Sequence, residues 1–176
     1  YRWFFNVGSI VTLHFALLSY IVLARLAELY VANCNTRRLI EKGGYEVGRP
    51  HYLLIVILHL AWIVAFGLLI PANTPVQIHI LSLFLLVQGL RYWVIYSLGE
   101  RWTTRIIILP KAPLITHGPY KWLRHPNYIV VVLEIALLPL SFGAWEIALI
   151  FSILNAVVLY YRIKTEESAL SDLRGA

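Results

Sequence analysis

The chain reads as an all-α integral membrane protein of about five transmembrane helices, and three observations carry that reading. Its 176 residues are 60% hydrophobic with a mean hydropathy of +0.72, whereas a soluble domain is roughly 45–50% apolar. The apolar residues fall in runs long enough to cross lipid, which takes about 20 residues of helix. Lys and Arg gather in alternate connections between those runs, the asymmetry that orients a chain in a bilayer. So short a chain has too much surface for its volume to hide this apolar surplus in a core, so lipid is its natural solvent. The length fits one membrane-embedded domain. Residues 1–98 supply three helices, and 99–176 a long connection, a helical hairpin and a C-terminal segment.

The first run covers 3–31, with Arg25 and Glu28 in its last turns. No initiator Met and no cleavable leader precede it, so the chain is expected to begin a few residues inside a longer one. The second run, 52–70, ends at Pro71, and the third, 76–98, carries Arg91 in its interior. The last, 128–162, is interrupted by Pro139 and Gly143. It reads as a short helix to about Leu140 and a longer one from Ala144. The short fourth helix is open to two readings, a tilted crossing or a helix half-buried in protein.

Arg37, Arg38, Lys42 and Arg49 lie between the first two runs, and Arg101, Arg105, Lys111, Lys121 and Arg124 between the third and fourth. Arg162, Lys164 and Arg174 mark the C-terminal tail, while the turns at 71–75 and 141–145 hold no Lys or Arg. The positive-inside rule then puts both long connections and the C-terminus in the cytoplasm and the N-terminus outside. An odd number of crossings agrees. Anionic lipid at the inner leaflet accounts for the net charge of +6. Nucleic acid is excluded as a partner, because the basic residues sit on membrane-edge loops rather than along one groove-sized face. The lone Cys34 excludes a disulfide framework and a multi-Cys metal site, and no metal is expected.

Chemistry concentrates in residues 99–128, GERWTTRIIILPKAPLITHGPYKWLRHPNY. A plain connection between membrane helices is short and polar. This one is long and rich in aromatic residues, His, Pro and Gly. Gly118-Pro119 and His125-Pro126 fix the backbone direction twice. Tyr120, Trp122 and Tyr128 supply aromatic faces, and His117 and His125 supply ring nitrogens that titrate near neutrality. This inventory suits a pocket for a polar, aromatic cofactor; it equally suits an interfacial aromatic belt. A second motif, Tyr161-Arg162-Ile163-Lys164-Thr165-Glu166-Glu167, lies where the last helix leaves the membrane. Arg162 and Glu166 share one helix face. That pair suits either an ordinary surface ion pair or an Arg fork for an acidic oxygen beside a carboxylate for a cofactor.

Taken together, GPYKWLRHPNY, an apolar hairpin and RIKTEESAL resemble the isoprenylcysteine carboxyl methyltransferase family over residues 99–170. RLAELYVANCN, GGYEVGRPHY and RYWVIYSLGERWTTRIIILP are similar to a bacterial branch that O-methylates alkylpyrones and related phenolic lipids. The resemblance implies S-adenosylmethionine at the cytoplasmic edge, capped by the connecting loop and the C-terminal segment. A lipophilic acceptor would enter between membrane helices. By matching position it implies cofactor contacts at Ala112, Pro113, Leu114 and Ile115, then Tyr120, His125, Pro126, Asn127, Tyr128 and Glu166. It implies Arg162 as the catalytic residue, on the acceptor oxygen. Arg105 stands where the family has a glutamine, and the family's tail usually continues beyond the point corresponding to Ala176.

The implied reaction is direct displacement at the sulfonium methyl by a carboxylate or acidic enol oxygen, needing position and charge more than a strong base. For a bacterial chain in the cell membrane, a free lipid is the expected acceptor. Arg91 and Glu134 lie inside spans, where charges pair or line a cavity, and pairing is expected. His14, His59 and His79 are expected to pack or to lie at the interface. Two rivals are a sterol-reductase-type enzyme, which needs extra cations for NADPH, and a non-catalytic lipid-binding protein.

Overall fold

The computed structural model describes residues 7–110 and 112–175, with side chains at all of these except 50, 51 and 170–175. The start of the first expected span (residues 3–6) and Lys111 lie outside the described residues. The five expected helices are present: α1 (Val7–Glu41), α2 (Arg49–Leu69), α3 (Ile78–Leu98), α4 (Pro126–Ser141) and α5 (Trp145–Gly175). Four of them are long and apolar enough to cross a membrane. The 16 residues of α4 give about 24 Å of helix, short of the ~30 Å hydrocarbon layer.

Sequence punctuation sets the ends. α2 follows Gly48, whose φ of 70° suits glycine, and Pro71 follows its last turn. Pro126 opens α4, a position where its missing N–H costs nothing. α1 departs from expectation: it continues ten residues past Val31, to Glu41. Those residues are polar in composition, yet Ala32, Asn35, Thr36 and Leu39 are buried, so tertiary contact rather than lipid extends the helix. It stops at Gly43-Gly44, whose N–H groups bond back to Ile40 and Leu39. A second departure is a small antiparallel pair, β1 (Tyr45–Val47) with β2 (Ile106–Ile108), in register Tyr45↔Ile108.

The apolar core joins four helices through Leu17 and Ile21 of α1, Trp62 and Phe66 of α2, Phe84 of α3 and Leu138 of α4. His14 packs there, stacked on Phe66 at 4.9 Å between ring centroids. Large apolar side chains such as Leu23, Leu68 and Leu86 point outward, as lipid-facing residues do. Deeper charges form one cluster. Arg91 spans Glu28 and Glu134, Arg25 reaches the same two carboxylates at 2.6 and 2.7 Å, and Gln88 donates to Glu134 at 2.8 Å. Two guanidinium and two carboxylate groups cancel formally and bind α1, α3 and α4 together. Arg91 and Glu134 thus pair, as expected.

The bundle has two different ends. At one, the N–H of Gln77, just before α3, donates to the carbonyl of Ser141 at 2.7 Å. The short α4 therefore reaches the level where α3 begins. At the other end lie the β1–β2 pair, the 99–125 connection and the end of the described α5.

Candidate functional site

The long connection is pinned at each step. Asn35 donates to the carbonyls of Gly99 and Trp102 at 3.1 and 2.9 Å. Arg105 bonds Glu46 at 3.1 Å and lies over the Tyr52 ring at 4.6 Å. Arg101 donates to the carbonyl of Pro113, holding the 112–115 stretch against the end of the bundle. Gly118 is obligatory: its φ is +58°, and a Cβ would stand 2.2 Å from the Ser97 hydroxyl of α3. The Gly-Pro turn thereby seats Tyr120 against the bundle.

These restraints enclose a cavity of about 740 Å³, within the usual size range for small-molecule sites. Ala112, Pro113, Leu114, Ile115, Tyr120, His125, Asn127, Tyr128, Glu166 and Arg162 all line it. Pro126 does not; it is buried at the first turn of α4. The sequence motifs, separated by the whole α4–α5 hairpin, are thus brought to one cavity. Arg101, Trp102, Thr103, Arg105 and Glu167 also line it. Of these, Arg105 stands at the family's glutamine position and Glu167 within the second motif; the sequence does not single out Arg101, Trp102 and Thr103 as site residues.

A short relay connects the two motifs. Arg162 donates from Nε to the Tyr128 hydroxyl at 3.0 Å and from Nη2 to the Thr104 carbonyl at 2.9 Å. The Tyr128 hydroxyl donates in turn to Glu166. Arg162 is buried, and its Nη1 makes no hydrogen bond among the described residues. His125 stacks on Tyr128 at 5.4 Å, with its Nε2 3.5 Å from Glu167. Burial first, then the Glu166 carboxylate, pushes the Tyr120 hydroxyl well above the ordinary phenol range. It therefore stays a neutral donor at physiological pH.

A second cavity, of about 290 Å³ and mostly apolar, lies among α1, α2, α4 and α5. Trp102, Thr103, Asn127 and Arg162 line both cavities, so the two meet there. Trp102 is 2% exposed, and its indole N–H has no partner among the described residues. His59, expected to pack or to lie at the interface, lines the second cavity.

The fold and site define a class: a helical membrane protein with a wide cavity of mixed polarity at one end of the bundle, joined to a narrow, mostly apolar one at an arginine. The profile of the isoprenylcysteine carboxyl methyltransferase (ICMT) family matches residues 79–172, and the chain belongs to that family. It is 38% identical over 160 residues to the uncharacterized protein YpbQ of Bacillus subtilis, covering 89% of this chain and 95% of that one. It is 32% identical over 161 residues to an uncharacterized protein of Haemophilus influenzae, covering 87% and 92%. No solved structure matches it. Family membership makes the chain a member of a methyltransferase family; the match takes in α3 from residue 79, the connection, α4 and most of α5.

Proposed function

We propose that the protein is an S-adenosylmethionine-dependent O-methyltransferase for a carboxylate or acidic enol or phenol oxygen on a lipophilic acceptor. The observation that carries this reading is the junction of the two cavities at Arg162. A wide, partly polar chamber for a water-soluble cofactor and an apolar one for a lipid share Trp102, Thr103, Asn127 and Arg162, so cofactor and acceptor can meet there.

The residues present fit the cofactor. Glu166 and Glu167 offer carboxylates to a cationic ligand, Tyr120 a neutral phenol donor, Trp102 an indole N–H without a partner among the described residues, and 112–115 a held stretch of backbone. When bound, S-adenosylmethionine supplies a methyl group on positive sulfur, open to attack by an oxygen nucleophile. The chain's task is to bring that nucleophile in, hold it and exclude water. Arg162 holds the acceptor oxygen through its free Nη1, while Nε and Nη2 fix the guanidinium plane on Tyr128 and Thr104. That refines the two-point grip expected from the sequence, because two of the three nitrogens are engaged by the protein. Through the Tyr128 hydroxyl, the same arginine sets the position of Glu166.

The NADPH rival needs uncommitted cations in the polar chamber. Arg101 is engaged by Pro113 and Arg105 by Glu46, and Arg124 lies 3.8 Å from Glu167. Arg105 and Arg124 thus face carboxylates, whereas Arg101 keeps its charge against a neutral carbonyl, so titration with both cofactors decides between the readings.

Orientation belongs to the same proposal: the polar cavity opens to the cytoplasm of a bacterial cell and the N-terminus lies outside. Its support is the basic 37–49 and 99–127 segments at the cavity end of the bundle. In a Cys34→Ser background, Asn73→Cys and Lys42→Cys should label from opposite sides of sealed vesicles. Labelling from one side would reject the orientation. The activity is tested by incubating the membrane-embedded protein with methyl-labelled S-adenosylmethionine and, in parallel, an alkylpyrone, a prenylcysteine and a fatty acid. Label is expected on an acidic amphiphile; label on none of the three contradicts the reading.

A further inference from the structure

The apolar cavity is not uniformly apolar. Asn155 of α5 is 2% exposed, lines the cavity, and its side-chain amide has no hydrogen-bond partner among the described residues. His59 of α2 also lines it. Its Nδ1 lies 2.8 Å from the Ile55 carbonyl, which only accepts, so Nδ1 carries the proton. Nε2 is then a bare acceptor, and it too has no partner among the described residues. A third cavity-lining residue, Arg25, has a buried Nε–H without a partner among the described residues.

All three lie at one depth. Asn155 is seven residues before Arg162 on α5, two helical turns away on the same face and roughly 10 Å deeper. His59 is the same distance beyond Tyr52 on α2. Tyr52 stands level with Arg162, because the adjacent residues Thr104 and Arg105 contact Arg162 and Tyr52 respectively. Arg25 bonds Glu134, seven residues beyond Asn127 on α4, and Asn127 lines the junction of the cavities. Three separate helices therefore present unsatisfied polar atoms two turns below the reacting level.

A plain hydrocarbon tail would bury those atoms with no partner, which is unfavourable for each. A hydroxyl answers both principal groups, donating to His59 Nε2 and accepting from the Asn155 amide. We propose that His59 and Asn155 form a specificity site, and that the acceptor is a hydroxylated lipid. Its hydroxyl lies roughly 10 Å along the chain from the oxygen that is methylated. This rests on the reading that the apolar cavity holds the acceptor. A carbonyl at the same place satisfies Asn155 alone.

The test is equilibrium binding to the protein in lipid nanodiscs, with no methyl transfer required. Labelled hexadecanoic acid is competed by hexadecanoic acids bearing a hydroxyl at carbon 4, 8 or 16, and by the 8-keto acid. The 8-hydroxy acid should bind about tenfold more tightly than the parent, the gain of one or two buried hydrogen bonds. The 4- and 16-hydroxy acids should not exceed the parent, and the keto acid should fall between. Asn155→Leu, which keeps the volume, and His59→Phe should each reduce the preference. Equal binding across the series, binding of no member, or a preference unchanged in both variants overturns the proposal. Preference for the 8-hydroxy acid without any methyl transfer would instead leave this site standing and count against the proposed reaction.

Discussion

The protein holds two arginine–carboxylate assemblies within one bundle, and they are built to opposite ends. In the Arg25–Glu28–Arg91–Glu134 cluster, two cations meet two anions, and the three nitrogens of Arg91 all bond carboxylate oxygens. Gln88 closes a further acceptor, and the Tyr20 hydroxyl reaches Gln88 at 3.1 Å. In the Arg162–Tyr128–Glu166 relay, a phenol separates the charges, and Arg162, which lines both cavities, has one nitrogen without a hydrogen bond among the described residues. Near-saturation makes the first a clamp between helices, with Arg25 Nε left without a hydrogen bond among the described residues. The free valence of the second is what a reaction site requires, since a group already fully bonded has little to offer a ligand.

The largest effect should come from breaking the clamp. Glu134→Leu leaves Arg25 and Arg91 with one carboxylate between them, and removing one partner of a buried pair costs about 3–5 kcal/mol. Thermal unfolding in detergent should show a large fall in Tm. A near-unchanged Tm would mean that lipid or water satisfies those cations and that the two assemblies are less different than described.

Next is Arg162→Lys, which keeps the charge but not the planar fork that bonds Tyr128 and Thr104. Turnover should drop at least about 100-fold, the scale for losing a charge-stabilising donor, while S-adenosylhomocysteine still binds. Equal turnover by the variant would remove Arg162 from the acceptor side. Glu166→Ala should weaken S-adenosylhomocysteine by about 1–3 kcal/mol, the range for a charged hydrogen bond, with less effect on Tm than Glu134→Leu. Unchanged affinity would assign Glu166 another role. Smallest is Tyr128→Phe, which preserves the ring stack on His125 but cuts the relay. A loss of about 0.5–1.5 kcal/mol in cofactor affinity is expected, measured by the same titration.

The helices were legible because each is an apolar run closed by Pro or Gly, as at Pro71, Pro126 and Gly143. The extension of α1 to Glu41 was not, because polar residues 32–41 are held by contacts with the distant connection, Asn35 to Trp102 being one. The strand pair was equally hidden: three residues on each side carry no usable period, and Glu46–Arg105 spans 59 positions. For the site, residue types in 99–128 suggested a pocket but left an aromatic belt equally open. The family resemblance, rather than spacing, selected Ala112 to Ile115, Tyr120 and His125. Neither could show that Tyr128 links Arg162 to Glu166, or that His59 lines a cavity, because both depend on how α2, α4 and α5 meet.

The central claim is that the open assembly serves a methyl donor. The most direct measurement is calorimetric titration of the detergent-solubilised protein with S-adenosylhomocysteine and, separately, with NADPH. Saturable heat with S-adenosylhomocysteine at one site per chain, and none with NADPH, is the expected result. Saturable binding of NADPH with no response to S-adenosylhomocysteine would contradict the account.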